Sequence, residues 1–176
     1  NSKYKKGWAP LSVAVLNGQT AGAQALLAKG ANANQTQGAD EGATMTVLAI
    51  AAQKGHAAVA QALLDKGADA NDKAADGSTV LSIALLKDHL DVVRALLDKG
   101  ADPGARLKGA TDKGIEIDTT VLVLAVQMGK KEMVKAFLEK GADPNVKVTK
   151  GYMPLGFAIQ KNQPEKRAVR EFLHEF

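Results

Sequence analysis

The sequence predicts an all-α solenoid of stacked helix–turn–helix units joined by β-hairpin-like finger loops. Two registers of repetition predict it. The stretch 63–71, Leu-Leu-Asp-Lys-Gly-Ala-Asp-Ala-Asn, returns in related form at 26–34, 96–102 and 137–145, and its glycines Gly30, Gly67, Gly100 and Gly141 lie 37, 33 and 41 residues apart. A second landmark, Leu11, Leu48, Leu81, Leu122 and Leu155, is spaced 37, 33, 41 and 33. Registers that stretch together mark a repeat array. Composition agrees: 45% of the residues are hydrophobic but only 4% aromatic, which suits thin layers of Ala, Val and Leu better than one large core.

In chain order, residues 1–7 are a basic lead-in with Lys3, Lys5, Lys6 and Tyr4. Five units follow at 8–43, 44–76, 77–117, 118–150 and 151–176, the last a capping repeat; together they form one domain. In the first, Pro10 suits the opening turn of a helix, where its missing N–H costs nothing. Asn17-Gly18 supplies a left-handed residue to end that helix after about two turns. The slot recurs as Gly55, Asp88, Gly129 and Asn162, residue types that tolerate positive φ.

Against a period of 33, the spacings of 37 and 41 leave four extra residues within 35–43 and eight within 105–119. Alternating Ile115-Glu116-Ile117-Asp118 beyond the turn Asp112-Lys113-Gly114 is a strand signal. It predicts a lengthened hairpin with Arg106 and Lys108 facing an acidic partner strand. At the C-terminus Ala168, Val169, Phe172, Leu173 and Phe176 follow helical spacing among charged residues, the pattern of a polar cap. The front end differs: residues 8–28 carry no charge. The expectation is a cover from the lead-in, an upstream segment or a partner. A start at Asn1 rather than Met implies removal of something upstream, an export signal being one candidate.

Ala9-Pro10-Leu11, Thr46-Val47-Leu48, Thr79-Val80-Leu81, Thr120-Val121-Leu122 and Met153-Pro154-Leu155 resemble the Thr-Pro-Leu-His signature of ankyrin repeats. Gly55-His56 resembles that family's Gly-His turn, residues 92–97 its second helix and residues 67–71 its loop. The resemblance covers about residues 7–176. The signature histidine is replaced throughout, by Ser12, Ala49, Ser82, Val123 and Gly156, so the polar ties it makes in the family are expected to be missing and the array less stable. The alanine-rich, cysteine-free composition resembles small bacterial ankyrin-repeat proteins. Some of these are exported, and some act as immunity proteins that neutralise a toxic enzyme of the same cell. That leaves the bacterial periplasm and cytoplasm as the expected compartments.

Catalytic chemistry is not indicated. His56 and His89 share one slot in consecutive repeats, where the resemblance implies turn packing, and His174 lies in the last helix. No His, Cys, Asp or Glu group has zinc-ligand spacing. Ser12 and Ser82 lack a nucleophile-elbow context, and the glycines terminate helices rather than cradle phosphate. Asp40 and Glu41 lie in a loop without apolar surroundings to raise a pKa. The reading is therefore no enzyme, no cofactor, no metal and no small-molecule substrate. A net charge of +4 is spread along the chain. The cations Lys147, Lys150, Lys161, Lys166, Arg167 and Arg170 near Tyr152 are interrupted by glutamates, so a nucleic-acid scaffold is the weakest alternative. No apolar run approaches the roughly 18 residues that span a bilayer.

Surface recognition remains: binding of another protein through a concave face of loop tips and first helices. Repeat alignment places Trp8, Met45, Ser78, Thr119 and Tyr152 in one column. A second holds Leu16-Asn17, Gln53-Lys54, Leu86-Lys87, Gln127-Met128 and Gln160-Lys161. The resemblance implies that both columns face the ligand. Large side chains there, Trp8, Met45, Leu86, Met128 and Tyr152, are candidate anchors; Trp8 and Tyr152 could equally cover repeat edges. Leu107, Ile115, Glu116 and Ile117 of the long finger are further candidates, its apolar face either meeting the partner or packing on residues 146–150. A narrower alternative is an immunity protein or inhibitor whose partner is a toxic effector enzyme.

Leu64 and Leu97 fall at equivalent places in their second helices and are predicted to lie between repeats. Leu64→Ala or Leu97→Ala should each cost about 2–5 kcal/mol in urea unfolding. A loss below about 0.5 kcal/mol at both would refute this register.

Overall fold

The computed structural model describes residues 8–38, 44–74, 76–110 and 116–148. The chain divides into two compact units, Asn1–Ala101 and Asp102–Phe176. The first holds α1 (Pro10–Leu16), α2 (Thr20–Ala28), β1 (Thr36–Gly38), β2 (Thr44–Thr46), α3 (Val47–Lys54), α4 (Ala57–Asp65), α5 (Val80–Leu86) and α6 (Leu90–Asp98). The second holds β3 (Arg106–Ala110), β4 (Glu116–Thr120), α7 (Val121–Gln127) and α8 (Lys131–Glu139).

The helices start and stop by repeated local chemistry. Thr46, Thr79 and Thr120 are N-caps whose hydroxyls accept from the amides of Ala49, Ser82 and Val123 at 3.3, 3.1 and 3.3 Å. Such a bond satisfies one of the amides that a helix start leaves without a partner. Ala9 cannot cap α1, which opens on Pro10 instead. Each second helix ends in a Schellman turn: in α4 the amide of Gly67 donates to the Leu64 carbonyl at 3.1 Å and that of Ala68 to Leu63 at 3.0 Å. Gly67 sits at φ +83°, open to glycine at no steric cost. Between paired helices the expected left-handed slot is present at Gly18, Gly55, Asp88 and Gly129, with φ from 63 to 73°. Asp88 is the one non-glycine with positive φ among the described residues. Asn162 lies outside them.

In the first unit α1, α3 and α5 stack as one layer and α2, α4 and α6 as the second. Leu11, Leu48, Leu63, Leu81, Leu85 and Leu96 are fully buried, and Leu64 and Leu97 are buried too. The turns at Gly18 and Gly55 abut the next repeat. A methyl group on Gly18 would lie 2.8 Å from the His56 ring, and one on Gly55 2.6 Å from the His89 ring. The His56 Nε2 is also 3.3 Å from the Leu16 carbonyl, which accepts if that nitrogen carries the proton. On the opposite layer Lys99 pairs with Asp65 at 2.7 Å, and Gln61 donates to the same oxygen. The Lys99 ammonium first, then the Gln61 amide, hold the Asp65 carboxyl below its usual range. Because the pKa is lowered, this tie is present at neutral pH and lost as pH falls through the folded value. The pair is exposed, so its contribution is small.

In the second unit α7 packs on α8 and on β4, around Leu122, Val126, Val134 and Phe137. β3 and β4 pair antiparallel in the register Arg106↔Thr120, Leu107↔Thr119, Lys108↔Asp118, Gly109↔Ile117 and Ala110↔Glu116. The predicted long finger is therefore a hairpin, with Lys108 opposite an acidic residue. Arg106 is not: Thr120 stands across from it, and its guanidinium reaches the Lys147 carbonyl at 3.5 Å. Position 106 lies at the finger's base, two residues back along β3 from the Lys108↔Asp118 pair. The shorter insert also forms a hairpin, β1–β2, pairing Thr36↔Thr46, Gln37↔Met45 and Gly38↔Thr44.

The polar ties expected to vanish with the signature histidine are partly replaced. Gln35 Nε2 donates to the buried Ser12 hydroxyl at 2.9 Å, and the Ser82 hydroxyl donates to the Thr79 carbonyl at 2.8 Å. Asparagines add an inter-repeat clamp. Asn34 donates from Nδ2 to the Gly67 carbonyl and accepts at Oδ1 from the Asp69 amide, both at 2.9 Å; Asn71 Nδ2 donates to the Gly100 carbonyl at 3.0 Å.

The third repeat has Gly104 at the clamp position, although its amide bonds Asp102 Oδ1 at 2.8 Å just as Asn71 bonds Asp69 and Asn145 bonds Asp143. Gly104 has no positive φ, and a Cβ there would meet only Asp102 Oδ1, at 3.3 Å. Gly104→Asn is therefore expected to stabilise the chain by about 1–2 kcal/mol, from lost unfolded-state freedom and a restored hydrogen bond. Urea titration checks this, and a destabilised Gly104→Asn chain would refute it.

Candidate functional site

The two sequence columns lie on two kinds of element. Of the first column, Met45, Ser78 and Thr119 sit at the ends of fingers, where the chain enters the first helix of a repeat, and Trp8 just ahead of α1. The backbone sets that junction by one recurring bond: Val47, Val80 and Val121 donate their amides to the carbonyls of Gln35, Asp72 and Ala105. Among the described residues, the second column occupies the last turn or C-cap of α1, α3, α5 and α7.

Within the first unit, five predicted residues converge. Met45, Gln53, Ser78, Leu86 and Lys87 line one groove of about 290 Å³, together with Thr44, Ala74, Asp76 and Ile83. Finger residues make one wall and the faces of α3 and α5 the other. Leu86 is 52% exposed and is the only large hydrophobic side chain so exposed among the described residues. Met45, Ser78 and Ile83 are half-buried, while Gln53 and Lys87 are exposed. Asp76 shapes the finger by accepting the Ser78 amide at 2.9 Å.

The other candidates stand apart from this groove. Trp8 is half-buried ahead of α1, where the Ala9 amide donates to Gln37 Oε1 at 3.4 Å. Leu16 is half-buried and Asn17 exposed; Asn17 turns its amide back to the Val13 carbonyl at 2.8 Å. Lys54 is exposed at the end of α3. In the second unit Gln127, Met128, Leu107 and Thr119 are half-buried. The Thr119 hydroxyl oxygen is buried with no hydrogen-bond partner among the described residues. Glu116 and Ile117 lie on β4 opposite Ala110 and Gly109. Ile115, Tyr152, Gln160 and Lys161 fall outside the described residues, as do the basic lead-in and the C-terminal cap.

Column reading missed Ile83, Ala74, Asp76 and Thr44. Ile83 carried a usable signal, since it precedes Leu86 by three residues and so shares its helix face. Asp76 and Thr44 become neighbours of Leu86 only through finger geometry. No His, Cys, Asp and Glu cluster able to hold a metal ion occurs among the described residues, and no helix there is long and apolar enough to cross a membrane.

A family model described as ankyrin repeats, in three copies, matches residues 11–106, and a single ankyrin-repeat model matches residues 118–148. Residues 107–117, most of the long finger, fall between the matches. Ankyrin repeats are generally protein–protein interaction modules and typically carry no catalysis. No curated protein matches the chain.

Proposed function

The chain belongs to the ankyrin-repeat family, and on that premise we propose that it is a non-enzymatic module that binds another protein through its fingers and inner helices. The observation that carries this reading is the groove of the first unit. An isolated exposed leucine is ordinary on any surface. Leu86 instead sits beside Met45 and Ile83 in a concave site with polar groups around it, the arrangement in which interface hot spots form. The groove is at the lower limit of small-molecule pockets, which run from about 300 Å³ upward, and suits protruding side chains of a partner.

The long finger is the second element of this reading. Its base is tied to the following loop through Arg106 and the Lys147 carbonyl, which supports packing there. A two-stranded ribbon is marginal alone, which leaves the outer part available to a partner. The partner could be a toxic effector enzyme, in which case the protein is an inhibitor. Support for that narrower form is the composition shared with small bacterial ankyrin proteins; protection of cells co-expressing the candidate enzyme would test it.

With a partner captured from the source cells, Met45→Ala and Leu86→Ala should each weaken binding by about 2 kcal/mol, roughly thirtyfold, while circular dichroism stays unchanged. Affinity preserved in the double variant would move the site off this groove. Replacing residues 108–117 by a Gly-Asn turn should preserve folding and weaken the same complex. Unchanged affinity would remove the finger from the interface.

A further inference from the structure

We propose that the groove takes a partner segment with one long apolar side chain seated against Met45, Ile83 and Leu86 and with carboxylates on one side of it, at the Lys87 end, where Lys54 supplies a second ammonium. This deepens the reading above and rests on it. Charge is unevenly distributed around the site. Lys54 closes α3 and Lys87 caps α5, so the two ammonium groups occupy equivalent ends of neighbouring helices that pack together. Both are exposed, and neither pairs with a carboxylate among the described residues. In the first repeat the equivalent residue is the neutral Asn17.

The groove lining itself carries one charge of each sign, Asp76 on the finger and Lys87 at the helix end; Lys73 of the finger and Asp88 beside Lys87 lie outside it. Asp76 is the acidic residue of the groove lining, and one of its oxygens is occupied by the Ser78 amide. A linear segment lying along the groove therefore meets the Asp76 carboxylate on the finger, the apolar surface of Met45, Ile83 and Leu86, and the Lys87 ammonium, while Lys54, at the equivalent end of α3, stands outside the lining. Opposite charges in that order attract a segment in one direction and repel it in the other. The cations also suit their positions at helix C-termini, where the dipole favours positive charge. Pairing them with a partner's acids leaves that arrangement intact. A volume of about 290 Å³ is too small for a folded element and admits one or two protruding side chains.

A phage-displayed library of random 12-residue peptides, panned on the full chain, tests this directly. The selected peptides should share an aliphatic or aromatic residue with two or more Asp or Glu clustered on one side of it. A synthetic copy of the best of them should bind at least tenfold more weakly to Leu86→Asp and to the double variant Lys54→Glu, Lys87→Glu, and its affinity should fall with added salt. The milder pair Lys54→Gln, Lys87→Gln should show the same direction, guarding against misfolding, and both lysine pairs should keep the wild-type helical signal. Peptides lost on Leu86→Asp but indifferent to both lysine pairs would overturn the charge assignment and leave the proposed function standing. Peptides indifferent to all the variants would place the site elsewhere and defeat both. A chain that dimerises in sedimentation and becomes monomeric as Leu86→Asp would mean that a second copy fills the groove, and no enrichment at all would also reject the proposal.

Discussion

A repeat of about 33 residues cannot bury its own apolar helices, so each layer depends on how closely the next one approaches. In the first unit that approach is set where a turn meets an imidazole. Gly18 faces the His56 ring and Gly55 the His89 ring at distances that leave no space for a methyl group. The same glycines hold left-handed conformations. Two demands, one on the backbone angle and one on volume, thus fall on a single atom that is missing. In the same stack Leu48, Leu63, Leu81 and Leu96 are fully buried.

Polar ties act at the other end of each helix pair. Asn34 and Asn71 lock a loop onto the glycine that ends the next repeat's second helix. The carbonyl they engage belongs to a Schellman turn, which exposes it in a constant direction. Stability is therefore distributed along the array in small local terms, as expected for a chain whose repeats contact only neighbours. At two of the positions where the signature histidine is replaced, Ser12 and Ser82 are buried and find partners in Gln35 and Thr79.

Much of this is legible in the sequence. The glycine and leucine registers identify the helix pairs, because helix ends and core leucines obey local rules repeated at each step. The left-handed slot could be read even at Asp88, and Leu64 and Leu97 are buried as their phase required. The long finger was visible in the alternation of residues 115–118. What escaped depends on the path of the backbone in space. Arg106 shares a finger with acidic residues but stands opposite Thr120, since register counts from the base of the hairpin. The β1–β2 hairpin has little strand signal: its paired stretches are Thr-Gln-Gly and Thr-Met-Thr. Ile83, one helical turn from Leu86, and Asp76 on the finger line the same groove as Leu86 and Met45 but fall outside the aligned columns, which compare repeats one position at a time.

The amide–carbonyl bonds Val47–Gln35, Val80–Asp72 and Val121–Ala105 close the foot of each finger just before its inner helix begins. Both insertions lie beyond that closure, so a ribbon can grow outward while the layer beneath keeps its spacing. Each added pair of residues on a strand extends it by roughly 6–7 Å, with only a slowly rising entropic cost for the loop. The foot thus behaves as a mechanical isolator between a part that must stay constant and a part free to vary. Projections of different length can be exchanged on this framework without renegotiating its core, which makes the fingers the natural ground for changing what the surface touches.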